Sequence, residues 1–170
     1  GEFALKVRIP AWCDDASATI NGKDAGAVTP GYLELNRNWQ AGDTLEINLP
    51  LDIKFLEAHP HVTELNHHVA MTRGPLVYCL EEVDNKGFDL RNFHVRDEPN
   101  EIQTEVSEDL GGIVKLRIKG ANVQHNFEGL YRSAQKSEPT ISKALAVAIP
   151  YYVWANREAG RMQVWIKNKA

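Results

Sequence analysis

The chain has 170 residues, of which 43% are hydrophobic and 25% charged, enough to bury a core as one large unit or two small ones. Its net charge of -4 gives no basis for binding nucleic acid or an anionic membrane surface. No stretch approaches the roughly 20 apolar residues that a membrane span requires. We therefore expect neither a nucleic acid nor a membrane as a partner.

The N-terminal part alternates between apolar and polar residues, which is typical of strands with one buried face. The alternating stretches are Phe3 to Ile9, Ser17 to Ile20, Tyr32 to Leu35, Leu45 to Leu49 and Leu51 to Phe55. Asn21-Gly22 predicts a type I′ hairpin turn, because both residues adopt positive φ at low cost. A turn is expected over 36–43. Short, regularly spaced strands without helical periodicity predict an all-β fold, an antiparallel β-sandwich.

Two apolar runs in the middle of the chain predict a pair of buried strands. They are Val69 to Met71 and Leu76 to Leu80, and Gly74-Pro75 between them predicts a change of direction. Cys79 lies in the second run, where it is expected to behave as a small buried hydrophobe. Cys13 lies in a predicted loop, and a Cys13–Cys79 disulfide remains an alternative.

The composition changes after residue 83. We place a soft boundary there, with residues 1–83 as a first β-sandwich module and 84–170 as a second, packed together or forming one continuous unit. Residues 97–109 are acidic, which predicts a loop or an exposed edge, and Ile113 to Ile118 resumes strand alternation.

The C-terminal third is less regular. Residues 120–142 are expected to form a long loop. An apolar run from Leu145 to Ala155, interrupted at Pro150, is expected to form a terminal hairpin with Met162 to Ile166.

Candidate binding residues fall into three groups, and no nucleophile or phosphate-binding motif accompanies them, so we predict no catalytic residue. Trp12, Trp39 and Trp154 could stack on sugar rings, although aromatics also seal sandwich cores. His59 and His61 are weak metal candidates, because Pro60 interrupts the strand that would align them. His67 and His68 are adjacent and would face opposite sides of a strand.

Two arginines, Arg73 and Arg157, lie at predicted corners of the chain. Each could reach an acidic partner on another domain. We favour the alternative, in which each stabilises its own turn by binding carbonyls or a nearby carboxylate.

Four segments, in order, resemble the C-terminal part of glycoside hydrolase family 127, whose members include β-L-arabinofuranosidases. The segments are Leu5 to Trp12, Gly31-Tyr32-Leu33 with Trp39 to Asp43, Arg73 to Glu81, and Ile149 to Arg157. The resemblance implies a non-catalytic β-sandwich region that supports a separate N-terminal (α/α)6 catalytic barrel. It also implies that zinc, a glutamate and the cysteine nucleophile belong to that barrel, so no cofactor is expected in this chain.

The resemblance carries expectations about partners as well. These are the enzyme's own catalytic barrel, plant-type glycans bound by the whole enzyme, and a second copy in a homodimer. From a different class, an autonomous carbohydrate-binding module with exposed aromatics remains open, and so does a small enzyme that uses the histidines.

Overall fold

The computed structural model describes residues 1–96, 99–127, 129–131, 133 and 138–168. The strands are β1 (Glu2–Ile9), β2 (Ser17–Ile20), β3 (Lys23–Asp24), β4 (Gly31–Asn38), β5 (Leu45–Asn48), β6 (Ile53–Glu57), β7 (His68–Arg73), β8 (Leu76–Glu81), β9 (Phe93–Val95), β10 (Gln103–Ser107), β11 (Ile113–Gln124), β12 (Thr140–Pro150), β13 (Met162–Gln163) and β14 (Trp165–Asn168). Single 3₁₀ turns occupy Thr63–Leu65, Glu82–Asp84, Leu90–Asn92, Pro99–Glu101, Asp109–Gly111 and Tyr151–Val153. The prediction of an all-β fold is confirmed. Among these residues no helix is long and apolar enough to cross a membrane.

The chain divides into two compact units, Gly1–Asp52 and Ile53–Ala170. This division precedes β6, whereas the sequence suggested a soft boundary after residue 83. The reason is strand pairing. β7 and β8 lie within the predicted first module, yet they pair with β12, β13 and β14 from the C-terminal part of the chain.

The first unit contains two small sheets. One pairs β1 with β4, and the other has the order β3-β2-β5. The predicted turn at Asn21-Gly22 is confirmed, since the two residues have φ of 52° and 74° and join the paired strands β2 and β3. The turn predicted over 36–43 begins too early, because Asn38 still pairs with Glu2 at the end of β4.

The second unit is built around a closed barrel. Six strands form the ring in the order β7-β8-β12-β11-β9-β14, and β14 returns to β7. All neighbours are antiparallel except β14 and β9, which are parallel. A plain sandwich was therefore the wrong expectation for this unit. Closure pairs the strand edges that an open sheet would expose.

The C-terminal segment completes the barrel. β7 and β8 pair only next to their turn, at Thr72–Val77 and Arg73–Leu76, and then diverge. β14 pairs with β7 and β13 pairs with β8, so the segment 162–168 fills the gap. The predicted terminal hairpin is therefore wrong, while the predicted reversal at Gly74, whose φ is 55°, is confirmed.

The longest strands form a hairpin where a loop was expected. β11 and β12 pair from Leu116–Ala148 to Gln124–Thr140, so the predicted loop over 120–142 is wrong at both ends. Part of it, residues 128, 132 and 134–137, lies outside the described residues. The acidic segment 97–109 does contain an exposed edge strand, β10, which pairs with β11. Residues 97 and 98 of that segment also lie outside the described residues.

The barrel interior is the main core of the second unit. Its largest fully buried side chains include Tyr78, Phe93, Met71, Leu116 and Ile166. The Tyr78 hydroxyl donates to the carbonyl of Val114 at 3.0 Å, which satisfies the polar end of a buried ring. The six-stranded ring thus presents fixed outer faces and ends on which side chains can be placed.

Candidate functional site

The three tryptophans predicted to bind sugar have different surroundings. Trp12 and Trp39, in the first unit, are each half-buried. The Trp39 ring stacks on Phe3 with 6.0 Å between centroids and lies 4.9 Å from the Arg37 guanidinium carbon. Its indole N–H donates to the Phe3 carbonyl at 3.2 Å. Trp39 is therefore engaged in packing within its own unit, whereas Trp154, in the second unit, is 40% exposed.

Trp154 belongs to an exposed aromatic turn, defined here as residues 151–154. β12 ends at Pro150, and a single 3₁₀ turn then presents Tyr151 and Tyr152 at the surface. Tyr151 and Trp154 stack with 5.8 Å between centroids and 18° between planes. Val153, only 6% exposed, anchors the turn in the core beside Cys79 and Ile149. The result is a partly exposed pair of stacked rings on a well-packed base.

A network of ion pairs centres on Arg157, which follows the aromatic turn in the chain. Arg157 donates to Glu81 at 2.6 Å and to both oxygens of Asp84, with Nη1 to Oδ1 at 2.7 Å. The pKa of the Arg157 guanidinium is raised above its usual value, first by the hydrogen bonds to Asp84. Arg157 thus binds carboxylates of its own fold, as predicted, but these lie 73 and 76 residues away in the chain and not in its own turn.

Glu81 links this network to the backbone after the aromatic turn. Its Oε1 accepts a hydrogen bond from the Ala155 amide at 3.1 Å, and Ala155 has φ of 62°. A non-glycine residue in this left-handed conformation needs such support. Glu81 therefore holds the chain in the bend that follows Trp154.

Asn85 ties the same region to the barrel and was missed in the sequence. It is only 3% exposed, and its amide donates to the carbonyls of Glu81 at 2.7 Å and Val147 at 2.9 Å. Its Oδ1 accepts from the Val147 amide at 2.8 Å. Its neighbours Asp84, Lys86 and Gly87 are typical of an exposed polar turn, and nothing local in the sequence marks Asn85 as buried.

The histidines do not form a metal centre in the described part of the chain. The rings of His59 and His61 are in contact, with 4.7 Å between centroids, and His59 Nδ1 accepts from the His61 amide at 3.2 Å. However, no three side chains of His, Cys, Asp or Glu converge among the residues described. His59 and His61 therefore do not form a zinc site with the residues described, since such a site needs at least three protein ligands.

Comparison with known proteins accounts for nearly the whole chain. Residues 1–51 match the family model described as "Beta-L-arabinofuranosidase, GH127 middle domain", and residues 53–167 match "Glycoside hydrolase family 127 C-terminal domain". The chain belongs to glycoside hydrolase family 127. The two matches divide at the same place as the two compact units of this family 127 chain.

Individual relatives are considerably longer than this chain. A non-reducing end β-L-arabinofuranosidase of Bifidobacterium longum subsp. longum is 37% identical over 167 residues, which are 94% of this chain and 25% of that protein. The crystal structure of a family 127 β-L-arabinofuranosidase from Geobacillus stearothermophilus T6 aligns with a TM-score of 0.87 and 37% identity, covering 99% of this chain and 27% of the other. A second structure, titled glycoside hydrolase, aligns with a TM-score of 0.86 and 33% identity, covering 100% of this chain and 28% of the other. The chain thus spans about a quarter of the length of these relatives.

The two cysteines of this family 127 chain are poor nucleophiles. Both are free thiols, and both are fully buried, which confirms the interpretation of Cys79 as a buried hydrophobe. Burial, with a smaller contribution from Glu81, raises the pKa of the Cys79 thiol to about 12. The pKa of Cys13 is also raised, first by burial. Since the thiolate is the reactive form, neither residue is activated for attack near neutral pH.

Proposed function

We propose that this chain is the non-catalytic C-terminal region of an enzyme that hydrolyses β-L-arabinofuranosidic bonds, and that it supports a separate (α/α)6 catalytic barrel. The observation that carries the proposal is the consecutive match to the middle and C-terminal domains of family 127. Two relatives are named β-L-arabinofuranosidases, and this chain covers only 25% and 27% of them. In this proposal zinc and the cysteine nucleophile belong to the barrel.

The chemistry of the described residues supports a non-catalytic role. Glycoside hydrolysis usually requires two carboxyl groups that flank an accessible bond. Here Glu81 is only 4% exposed, and both it and Asp84 bind Arg157, so this pair holds the fold together. The buried thiols add no nucleophile. We also propose plant-type glycans as ligands of the whole enzyme, since two relatives are named β-L-arabinofuranosidases.

The finer architecture of the first unit belongs to this proposal as well. We infer that its two sheets face each other as a small sandwich, since Ile9 and Leu35 on one sheet and Ala18 on the other are buried. A homodimer of the whole enzyme also remains a proposal.

The test compares this 170-residue chain with the full-length enzyme on a chromogenic β-L-arabinofuranoside. We expect turnover by the full-length enzyme and none by this chain at matched concentration. Deleting this region from the full-length enzyme should lower its thermal midpoint, because the barrel would lose its support. Turnover by this chain alone would contradict the non-catalytic role, and a full-length enzyme inactive on this substrate would contradict the proposed activity.

A carbohydrate-binding role is the second candidate, and the aromatic turn favours it. Stacked, exposed rings such as Tyr151 and Trp154 offer the flat apolar surface on which sugars pack. Calorimetric titration of the same 170-residue chain with arabinose-containing oligosaccharides would test this role. Binding abolished by Trp154→Ala but retained in Trp39→Ala supports this role; no saturable binding, or equal loss in both variants, contradicts it.

A further inference from the structure

A cleft of about 1300 Å³ lies on the second unit, and residues 151–154 of the aromatic turn do not line it. Within this cleft, a row of residues that pair with one another from strand to strand crosses five neighbouring strands. From β7 to β12 the row reads His68, Lys167, His94, Ala121, Lys143. Paired residues point to the same face of a sheet. Their chain neighbours Val69, Ile166 and Val95 are buried in the core, so the row lies on the outer face of the barrel.

The cleft is strongly cationic. Arg96 and Lys119 line it together with Lys143 and Lys167, whereas Glu101 is the one carboxylate among its described lining residues. The chain as a whole carries a net charge of -4, so this surface has the opposite sign. None of the four cations forms an ion pair with any residue that the structure describes.

An imidazole with an unused nitrogen lies in the middle of the row. His94 Nε2 is buried and has no hydrogen-bond partner within the described residues. Burial, and then the neighbouring Lys167, His125 and His68, lower the pKa of His94. Positive and titratable groups crowd together here, and Glu101 is the one carboxylate among the described lining residues. Such crowding is unfavourable in the free protein, and an anion would relieve it.

The walls of the cleft also offer aliphatic surface. Val123, Ile141 and Leu145 line it, and Ile141 and Leu145 are 65% and 50% exposed. A volume of this size exceeds what a single small anion fills, since pockets for drug-sized ligands are about 300–1,000 Å³. The ligand should therefore combine several spaced anionic groups with apolar C–H surface.

We propose that this cleft binds an acidic oligosaccharide whose uronate carboxylates contact the row of lysines and histidines. Spaced carboxylates complement the spaced cations, and the C–H faces of the sugar rings pack on the aliphatic wall. An acidic peptide is the poorer match, because peptides commonly add a strand to an open sheet edge and the row lies in the middle of paired strands. This inference goes beyond the proposed function and does not depend on it.

The test is calorimetric titration of the 170-residue chain with tetragalacturonate, and with neutral galactotetraose as the matched sugar. We expect saturable binding of the acidic sugar that weakens as salt is raised, and no binding of the neutral one. The double variant Lys119→Ala/Lys143→Ala should bind about tenfold more weakly, as loss of charge-assisted contacts implies. Both lysines are exposed on the outer face, so the variant is expected to fold.

Lys86→Ala provides the matched control, because Lys86 is an exposed lysine of the same unit outside the cleft. It should bind tetragalacturonate like the unmodified chain. The proposal is overturned if the acidic sugar does not bind, if the double variant and the control bind equally, or if the neutral sugar binds as tightly. A tetraglutamate peptide that binds as tightly as tetragalacturonate would overturn the assignment to a saccharide.

Discussion

At the scale of single residues, the guanidinium of Arg157 is the most consequential side chain near the aromatic turn. Its side chain is 22% exposed, while the side chains of its partners Glu81 and Asp84 are 5% and 13% exposed. Charges removed from water in this way depend on each other, because neither carboxylate can recover its hydration when the arginine is lost. The network therefore couples the end of β8 to the bend after Trp154.

Arg157→Ala should lower the free energy of unfolding by about 3 kcal/mol, because it leaves the buried Glu81 carboxylate without a counter-charge. Denaturation by urea, followed by tryptophan fluorescence, measures the change. Lys86→Ala is the control, since its ion pair with Glu158 joins side chains that are 69% and 72% exposed, and it should alter stability very little. Equal effects of the two substitutions would show that the Arg157 network contributes no special stability.

At the scale of elements, β11 is the strand on which most pairing in the second unit depends. It pairs with β12 along nine residue pairs, with β10 on its N-terminal half, and with β9 near Gly120. Gly120 lies where two strands and an aromatic ring come close together. A Cβ added there would collide with the His94 carbonyl and lie 2.6 Å from Phe93 Cζ.

Gly120→Ala should therefore lower the unfolding free energy by about 3 kcal/mol, because neither the backbone of β9 nor the enclosed Phe93 ring can easily move away. Gly87→Ala is the matched control, since nothing lies within 4 Å of a Cβ added at that position. Thermal and urea denaturation of both variants provide the measurement. If Gly120→Ala is as stable as Gly87→Ala, the close approach of β9 and β11 is wrong.

At the scale of the whole molecule, barrel closure decides where the chain can be divided. β8 pairs with β12 and β13, and β7 pairs with β14, so a piece that begins after residue 83 lacks two of the six barrel strands. Such a piece would expose unpaired strand edges and the apolar face that Met71 and Tyr78 cover.

We expect residues 53–170 to fold cooperatively on their own and residues 84–170 not to do so. Far-ultraviolet circular dichroism and urea denaturation of the two fragments would show the difference, as a cooperative transition in the first and a non-cooperative or absent one in the second. Cooperative folding of 84–170 alone would contradict the closed barrel as the folding unit.

Much of the local structure could be predicted from the sequence, because the relevant signals are local. Alternation identified β1, β2 and β5, and Asn21-Gly22 identified its hairpin through the positive φ values that both residues accept. Arg157 was expected to bind a carboxylate, and it does, but its partners Asp84 and Glu81 lie 73 and 76 residues away in the chain and are not a local signal. Hydrophobic period and turn chemistry involve neighbouring residues only, so they can be interpreted without knowing the rest of the fold.

Strand partners and sites could not be predicted in the same way. The insertion of residues 162–168 between β7 and β8, and the parallel pairing of β14 with β9, join segments that are distant along the chain. The row that lines the cleft combines residues from five strands that no sequence motif connects, and Asn85 is identified as buried only by the surrounding fold. Alternation thus determined the short strands of the N-terminal part and which face of each is apolar. The tertiary structure alone decided the β11–β12 hairpin, the barrel and its surfaces, because pairing depends on which edges and buried faces remain available when the whole chain packs.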